Sequence, residues 1–250
     1  MNRTVSIITP AYNSQAFIKA CIESVLNQTW RDWQLLVVDD CSSDDTFQIT
    51  RSYQEKDQRI TVLRNDSNLG PAATRNAAIS RADGRYIAFL DSDDLWLPHK
   101  LERQTRFMEE HKVALCYSSY GKITETGEPL GRIVRVPERV TYSQLLNNCV
   151  IGCLTVVYDT NQTGKVYMPE IRRRQDFGLW LRILKSGHVA KGIDEPLAYL
   201  RVHRGSLSRN KLVAMWYTWR LYRDAERLPL LRSGYHFANY VIRSSRKHIW

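Results

Sequence analysis

Four short β-prone segments alternate with helical patterns along the first hundred residues, and this alternation restricts the fold more than any other feature. The segments cover residues 5–9, 34–38, 60–63 and 86–90. Between the first two, apolar residues recur at helical spacing. Strands that alternate with helices are joined by right-handed crossovers and lie mainly parallel. The pattern therefore predicts an α/β fold with a doubly wound, mainly parallel sheet of Rossmann-like type.

The later pattern is less regular. Residues 113–119 and the apolar, β-branched residues 150–158 predict two further strands. Residues 121–139 have the turn-rich pattern of a hairpin that could form a lid. Residues 177–185 carry a helical apolar stripe. Asp176 is therefore expected at or near the first turn of that helix.

Acidic residues follow two of the four early segments. Asp91, Asp93 and Asp94 come directly after residues 86–90, and Asp39 ends the second segment together with Asp40. Ligands of open α/β sheets bind beyond the carboxyl ends of the strands, and carboxylates suit Mg²⁺ or Mn²⁺. The alternative for the first group is an acidic turn that caps the next helix, although a cap needs one acid and not three. The alternative for Asp39 is a cap or a surface acid.

Two further features fit a nucleotide at the same edge. An Asp39 carboxylate can accept the imide N–H of uracil or the N–H groups of guanine, and Pro10 and Tyr12 follow the first strand, where they could bracket the base. Arg75 lies among small residues of a predicted helix, where its guanidinium could meet a phosphate or one of the acids. A structural ion pair is the alternative for Arg75.

The joint pattern resembles glycosyltransferase family 2 over about residues 4–205. The motifs that carry the resemblance are TPAYN at 9–13, VDDCSSD at 38–44, NLG at 68–70, ATRN at 73–76 and FLDSDD at 89–94. The resemblance implies the nucleotide-binding α/β fold called GT-A and inverting sugar transfer from a nucleotide-sugar. It implies Asp93 as a ligand of Mn²⁺ or Mg²⁺. The donor-binding residues that it implies are Pro10, Tyr12, Asp39, Arg75, Asp91 and Ser92.

The same resemblance implies a catalytic base and a closing loop. The family has a Glu-Asp pair before an aromatic-containing helix, and Gln175 with Asp176 stands in that place here, so Asp176 is the expected base. A helix N-cap is the alternative for Asp176. Residues 199–208 resemble the loop that folds over the donor, in which His203 would reach the metal or the diphosphate. A surface histidine in a basic loop is the alternative for His203.

The net charge of +10 is concentrated at the end of the chain. From residue 201 onward there are eleven basic residues and two acidic ones, whereas the first two hundred residues are nearly neutral. Apolar residues of this segment recur at helical spacing in two groups, Leu212, Met215, Trp216, Trp219 and Tyr222, and then Leu231, Tyr235, Ala238 and Ile242. Basic amphipathic helices of this kind predict an anionic membrane surface as partner. Packing on the catalytic domain or across a homodimer is the alternative, and no nucleic-acid-binding module is recognisable.

Composition fits a globular protein of 250 residues, 43% hydrophobic and 25% charged. No apolar run approaches ~18 residues and no signal-peptide pattern precedes the first strand, so a cytoplasmic protein is expected, peripheral at the inner face of the membrane. The five cysteines are expected to be buried, reduced thiols.

The expected organisation is a catalytic domain over residues 1–208, with its nucleotide part at about 1–98 and its acceptor part at about 99–208, followed by a helical extension over 209–250. The expected activity is transfer from a UDP-sugar to a glycan or polyprenyl-diphosphate-linked acceptor of bacterial O-antigen or capsule synthesis. One alternative is a sugar-nucleotide pyrophosphorylase, but residues 9–14 contain neither glycine nor lysine for its phosphate loop. The other is a non-catalytic binding or assembly subunit, against which Asp91, Asp93 and Asp176 argue.

Overall fold

The computed structural model describes residues 3–203 and 211–246, and its centre is a mixed β-sheet. Within the described residues the strand order is β3-β2-β1-β4-β9-β6-β10-β5, with β7 paired to β6 and β8 paired to β10. The strands are β1 (Val5–Ala11), β2 (Trp33–Asp39), β3 (Ile60–Arg64), β4 (Tyr86–Phe89), β5 (Leu95–Trp96), β6 (Leu115–Ile123), β7 (Pro129–Val134), β8 (Arg139–Val140), β9 (Val157–Asp159) and β10 (Ala190–Arg201).

Helices connect most of these strands. They are α1 (Ile18–Leu26), α2 (Thr46–Gln54), α3 (Pro71–Arg81), α4 (Lys100–His111), α5 (Tyr142–Asn147), α6 (Thr160–Thr163), α7 (Gln175–Lys185), α8 (Lys211–Arg220) and α9 (Leu230–Arg246), with a 3-10 turn at Cys153–Thr155 and a π-helical turn at Leu221–Ala225. None of the described helices combines the length and the apolar character that crossing a membrane requires.

The first four long strands confirm the predicted α/β fold. β3, β2, β1 and β4 are parallel, and helices cover both faces of the sheet. Ile8 and Phe89 pack on the side of α3 and α7, whereas Ile7 and Ala88 pack on the side of α1 and α4. Burial on both faces explains why β1, β2 and β4 are largely apolar. β9 is antiparallel to both of its neighbours, so the second half of the sheet is mixed.

Two features of the second half differ from the sequence prediction. Of residues 150–158 only the last two belong to a strand, because the 3-10 turn at Cys153–Thr155 buries Leu154 without joining the sheet. The strand β10 was not predicted, since Pro196 and several polar residues interrupt its apolar pattern. Its pairing with β6 shifts register on either side of Pro196, and such irregularities accommodate proline within a sheet.

The described part of the C-terminal segment packs on the rest of the protein. Tyr222 is fully buried, and its hydroxyl donates to the Leu146 carbonyl oxygen. The hydroxyl of Tyr142 on α5 lies 2.7 Å from a Glu226 carboxylate oxygen, to which it donates. The packing alternative is therefore correct for one side of this segment. The expected boundary between residues 208 and 209 lies outside the described residues.

Candidate functional site

The loops after β1 and β2 are tied together at the carboxyl edge of the sheet. The Asn13 backbone N–H donates to the Ser42 hydroxyl at 3.0 Å, and the Ser43 N–H donates to the Asn13 side-chain oxygen at 2.9 Å. Asn13 has φ 47°, a left-handed conformation that asparagine tolerates better than most residues. Pro10 is half-buried at the end of β1, and Tyr12 on this joined rim leaves 52% of its surface exposed. The Tyr12 ring is therefore available for stacking on a flat ligand.

The two acids that end β2 have different environments. Asp39 is fully buried, and its Oδ2 accepts from the Ser42 N–H and pairs with Arg64 Nε, each at 3.2 Å. Its Oδ1 is buried and has no hydrogen-bond partner among the described residues. Asp40, in contrast, uses both oxygens to accept from the loop before α3, including the Leu69 and Gly70 N–H groups. Only Asp39 therefore has an unused acceptor, and a buried polar atom of this kind needs a donor.

Arg75 and Asp91 form an ion pair in which the arginine is buried and the aspartate is partly exposed. Arg75 projects from α3, is 6% exposed and contacts Asp91 through Nη2. Burial alone would lower the pKa of Arg75, but the adjacent Asp91 carboxylate raises it above its usual value, so the guanidinium stays charged. Its Nε and Nη1 atoms are buried and unpartnered within the described chain. The ion-pair alternative is thus present, and two N–H groups are left for another ligand.

The acidic motif after β4 is a turn with a distinct environment for each acid. The Asp94 N–H donates to the Asp91 carbonyl at 3.0 Å. Asp93 Oδ2 lies 2.9 Å from His203 Nε2, and burial followed by the charge of Asp91 raises the pKa of Asp93. Asp94 is buried and accepts the Arg201 backbone N–H at 2.8 Å. The N-cap position of α4 is His99, so none of these acids caps that helix. Ser92 lies in the same turn and is partly exposed.

The protein supplies only part of a metal site here. Within residues 3–203 and 211–246, no three His, Cys, Asp or Glu side chains are grouped closely enough to hold a metal ion. The contact between Asp93 and His203 does provide two suitable ligand atoms. The nearby Asp91 charge disfavours the ionised form of Asp93, and a bound cation would offset this repulsion. Mg²⁺ and related ions commonly take one or two carboxylates and complete their shell with water and substrate phosphates. The donor set therefore fits a divalent cation that arrives with a diphosphate.

Asp176 lies in the first turn of α7, as expected, but does not cap it. The N-cap residue is Arg174, which has a left-handed backbone, and no side-chain cap bond is formed. The half-buried Asp176 carboxylate has no hydrogen bond within the described part of the chain. Its charge contributes, behind larger causes, to raising the pKa of both Arg75 and Cys153, so Asp176 interacts electrostatically with these residues. Among the described residues this carboxylate therefore has no hydrogen-bond partner, and it acts electrostatically on Arg75 of the predicted donor site.

The neighbouring Gln175 is buried, and its side-chain oxygen has no partner among the described residues. This is the position at which the resemblance leads one to expect glutamate. A buried glutamate beside Asp176 would add a second negative charge, which the amide avoids.

Sequence reasoning missed two residues of the site, Arg201 and Cys153. The Arg201 guanidinium donates to the backbone carbonyls of Asp93 at 2.7 Å and Glu125 at 2.8 Å, so it connects the acidic motif to the turn between β6 and β7. Its position two residues before His203 was the available signal. Cys153 interacts electrostatically with Asp91 and Asp176, and burial followed by the Asp91 charge raises the pKa of its thiol. None of the five cysteines, all of which lie in the described residues, forms a disulfide, but only Cys21 and Cys116 are buried.

Comparisons with known sequences agree on one family. The family described as "Glycosyl transferase family 2" matches residues 6–159. A Bacillus subtilis protein, TuaG, whose name assigns it provisionally as a teichuronic acid biosynthesis glycosyltransferase, is 43% identical over 98% of this chain and 97% of its own length. The Escherichia coli protein WfgD, named as a UDP-Glc:alpha-D-GlcNAc-diphosphoundecaprenol beta-1,3-glucosyltransferase, is 39% identical over 98% of this chain and 94% of its own. These relatives give no support to the pyrophosphorylase alternative.

Solved structures share the fold. The S. aureus protein TarS, residues 1–349 in complex with UDP-GlcNAc, aligns with TM-score 0.72 and 23% identity over 95% of this chain and 71% of its own. A mannosyltransferase from Pyrobaculum calidifontis, PcManGT in complex with GDP-Man and Mn²⁺, aligns with TM-score 0.71 and 17% identity over 91% of this chain and 65% of its own. At these identities the likeness concerns the fold, and it agrees with the expected GT-A architecture.

Proposed function

Since the chain belongs to glycosyl transferase family 2, we propose that it transfers a sugar from a UDP-sugar to a lipid-linked glycan acceptor, with inversion at the anomeric carbon. The observation that supports the proposal is the Arg75–Asp91 ion pair at this edge of the sheet, with which the Asp176 carboxylate interacts electrostatically through Arg75. In this proposal Asp176 is the base, Arg75 a cationic anchor and Asp91 an acid that contacts the donor, at the edge of the sheet where nucleotides bind. Such a group supports catalysis and argues against a purely structural subunit.

The uridine assignment rests on Asp39 and Tyr12. The imide N–H of uracil is a suitable donor for the unpartnered Asp39 Oδ1, and the exposed Tyr12 ring is suitable for stacking on the base. The name of the relative WfgD specifies UDP-Glc as its donor. The two unpartnered N–H groups of Arg75 would bind oxygens of the donor, with Asp91 and Ser92 as further donor contacts.

Asp93 and His203 would hold Mn²⁺ or Mg²⁺ together with the donor diphosphate. When bound, the cation supplies Lewis-acid neutralisation of the negative charge that develops on the departing diphosphate. Asp93 is well placed for this, because its backbone is fixed by Arg201 while one carboxylate oxygen faces His203.

The chemical step requires a proton acceptor, and Asp176 would supply it. The acceptor hydroxyl oxygen forms a bond to the anomeric carbon while its proton passes to the Asp176 carboxylate. The bond from the anomeric carbon to the β-phosphate oxygen breaks, and UDP leaves with that electron pair. Attack from the face opposite the leaving group inverts the anomeric configuration. Cys153 would remain a neutral thiol beside the reacting groups, because its pKa is raised.

The acceptor assignment follows the named relatives. WfgD and WfaP of Escherichia coli are both named for an alpha-D-GlcNAc-diphosphoundecaprenol acceptor, and TuaG is named for teichuronic acid biosynthesis. We therefore favour a polyprenyl-diphosphate-linked sugar in the synthesis of a bacterial surface polysaccharide. An enzyme that acts on such an acceptor would be peripheral at the inner face of the cytoplasmic membrane.

A thermal-shift screen of nucleotide-sugars tests the donor. A ligand present at about 100 times its dissociation constant adds about 2.7 kcal/mol to the free energy of unfolding. With Mn²⁺ present, UDP-sugars should raise the melting temperature, whereas GDP- and CDP-sugars should have little effect. Removal of the metal by EDTA should abolish most of the shift. A larger shift with a GDP-sugar, or none with any nucleotide-sugar, would contradict the donor assignment.

A further inference from the structure

The helix α9 has one face on the protein and one face in solvent. Ser233 and Tyr240 are buried against the fold. On the other side, Leu231, Tyr235 and Ile242 leave 89%, 63% and 52% of their surfaces exposed. Together with the exposed Ala238 these three form the outer stripe of α9. Their spacing of four, three and four residues keeps them on one helical face over about 16 Å.

The outer stripe is the apolar pattern found in the sequence, but the structure turns it away from the core. The other apolar group of the C-terminal segment, on α8 and the π-helical turn, is mostly packed against the protein. Tyr222 is buried, and Trp219 packs edge-on against Phe237 with ring centroids 5.4 Å apart. Only Trp216 of the described side chains of this group is exposed. The surface that lacks a partner is therefore on α9.

The charged residues around the outer stripe are all basic. Arg232 and Arg243 are exposed at its two ends, and residues 227–246 contain four arginines and no Asp or Glu. Arginine side chains that flank an apolar helical face can bury their methylene groups while the guanidinium reaches a phosphate. A second copy of the same chain would bring like charges together across this face, which disfavours self-association.

We propose that the outer stripe of α9, with Arg232 and Arg243, docks on an anionic lipid bilayer. The apolar side chains would lie at the boundary between headgroups and acyl chains, and the arginines would contact lipid phosphates. The inference deepens the proposed function, since it names the surface that brings the enzyme to a lipid-linked acceptor. The inference can be tested without measuring sugar transfer, because vesicle flotation measures lipid binding directly.

Docking would also fix the orientation of the catalytic helix. Tyr240, on the buried side of α9, contacts the Arg174 guanidinium through its hydroxyl, and Arg174 is the N-cap residue of α7. Asp176 lies two residues further along the chain. The outer stripe and the proposed base are thus connected through one contact between two helices, so the bilayer would hold Asp176 at a constant orientation.

Vesicle flotation with the full-length protein tests the proposal. The wild type should bind vesicles that contain phosphatidylglycerol and phosphatidylcholine, and bind vesicles of phosphatidylcholine alone at least tenfold more weakly. The double variant L231E/I242E should lose at least tenfold in binding to the anionic vesicles. The matched control L130E/I133E makes the same charge change at exposed apolar positions of β7 and should bind like the wild type.

A second double variant, R232Q/R243Q, should weaken binding to anionic vesicles and leave the weak binding to neutral vesicles unchanged. UDP-dependent thermal shifts of every variant should match the wild type, which separates failure of this proposal from failure of the donor assignment. Equal vesicle binding by wild type and L231E/I242E would overturn the proposal. A wild-type dimer in light scattering that L231E/I242E dissociates would overturn it too, in favour of a second copy as the partner.

Discussion

Arg201 joins the acidic motif to the β6–β7 turn, and replacing it should damage both stability and metal-dependent binding. Its guanidinium donates to the Asp93 and Glu125 carbonyls at 2.7 and 2.8 Å, with a longer contact of 3.3 Å to Thr124. It also lies 5.1 Å from the centroid of the Phe17 ring, and the residue is only 6% exposed. A lysine in this place keeps the charge but cannot reach both carbonyls from one planar group.

The magnitude follows from these contacts. A buried hydrogen bond to a charged group contributes about 1.5 to 3 kcal/mol. Arg201→Lys, which loses at least one of the two short bonds, should therefore lower the free energy of unfolding by about 2 kcal/mol. Arg201→Ala loses both bonds and the packing on Phe17, and should lower it by about 3 to 5 kcal/mol. Release of the Asp93 backbone should weaken Mn²⁺-dependent UDP binding by about tenfold, or about 1.4 kcal/mol.

Urea denaturation and calorimetric titration of UDP in the presence of Mn²⁺ measure the two effects. Arg103→Lys is the matched control, because Arg103 pairs with Glu195 at 3.0 Å on the surface and is about half exposed. Exposed pairs contribute about 0 to 1 kcal/mol, so this control should change little. Wild-type stability and wild-type UDP binding in Arg201→Lys would refute the proposed link between the acidic motif and the β6–β7 turn.

Three further predictions concern Asp93, Cys153 and Lys100. Asp93→Ala should abolish Mn²⁺-dependent donor binding in the thermal-shift assay, and retained binding would make this acid structural. Cys153→Ser should keep transfer, whereas Cys153→Phe should block it, because a much larger side chain would displace the groups around Cys153. Full activity of the Phe variant would place the thiol outside the reaction site. Lys100 is fully buried, and burial lowers its pKa from 10.5 to about 7. Between pH 7 and 10.5 the unfolded chain therefore binds more protons than the folded chain, so the free energy of unfolding rises with pH in this range. Relative to Lys100→Met, the wild type should gain about 2 to 3 kcal/mol between pH 6 and pH 9 in urea denaturation, and equal pH profiles would contradict the shift.

The first half of the fold could be predicted from the sequence because local pattern and tertiary environment agree there. The strands β1, β2 and β4 are buried on both faces, so their burial is visible as continuous apolar residues. The acids that follow them lie at the sheet edge for the same topological reason. The positions of Asp39 and Asp91 therefore follow from the strand pattern of the sequence and from the parallel topology of the sheet.

The rest depends on contacts between distant segments. The role of Arg201 comes from two carbonyls, one of them more than a hundred residues earlier in the chain, and no residue pattern encodes such a contact. Similarly, the spacing of Leu231 and Tyr235 predicts one apolar face of α9 but does not say whether that face meets the core or solvent. In the structure the side of α9 that carries Tyr240 and Ser233 packs on the protein, so the apolar face meets solvent.

The central claim is that Asp176 acts as the base at a nucleotide-sugar site. The most direct test compares wild type and Asp176→Asn in the transfer of glucose from UDP-Glc to a GlcNAc-diphosphate-lipid analogue, with donor affinity measured on the same preparations. The amide keeps the shape of the side chain but cannot accept the proton, so turnover should fall by about 10² to 10⁴ while the donor dissociation constant stays within about twofold. Wild-type turnover in Asp176→Asn, or parallel loss of donor binding, would contradict the account.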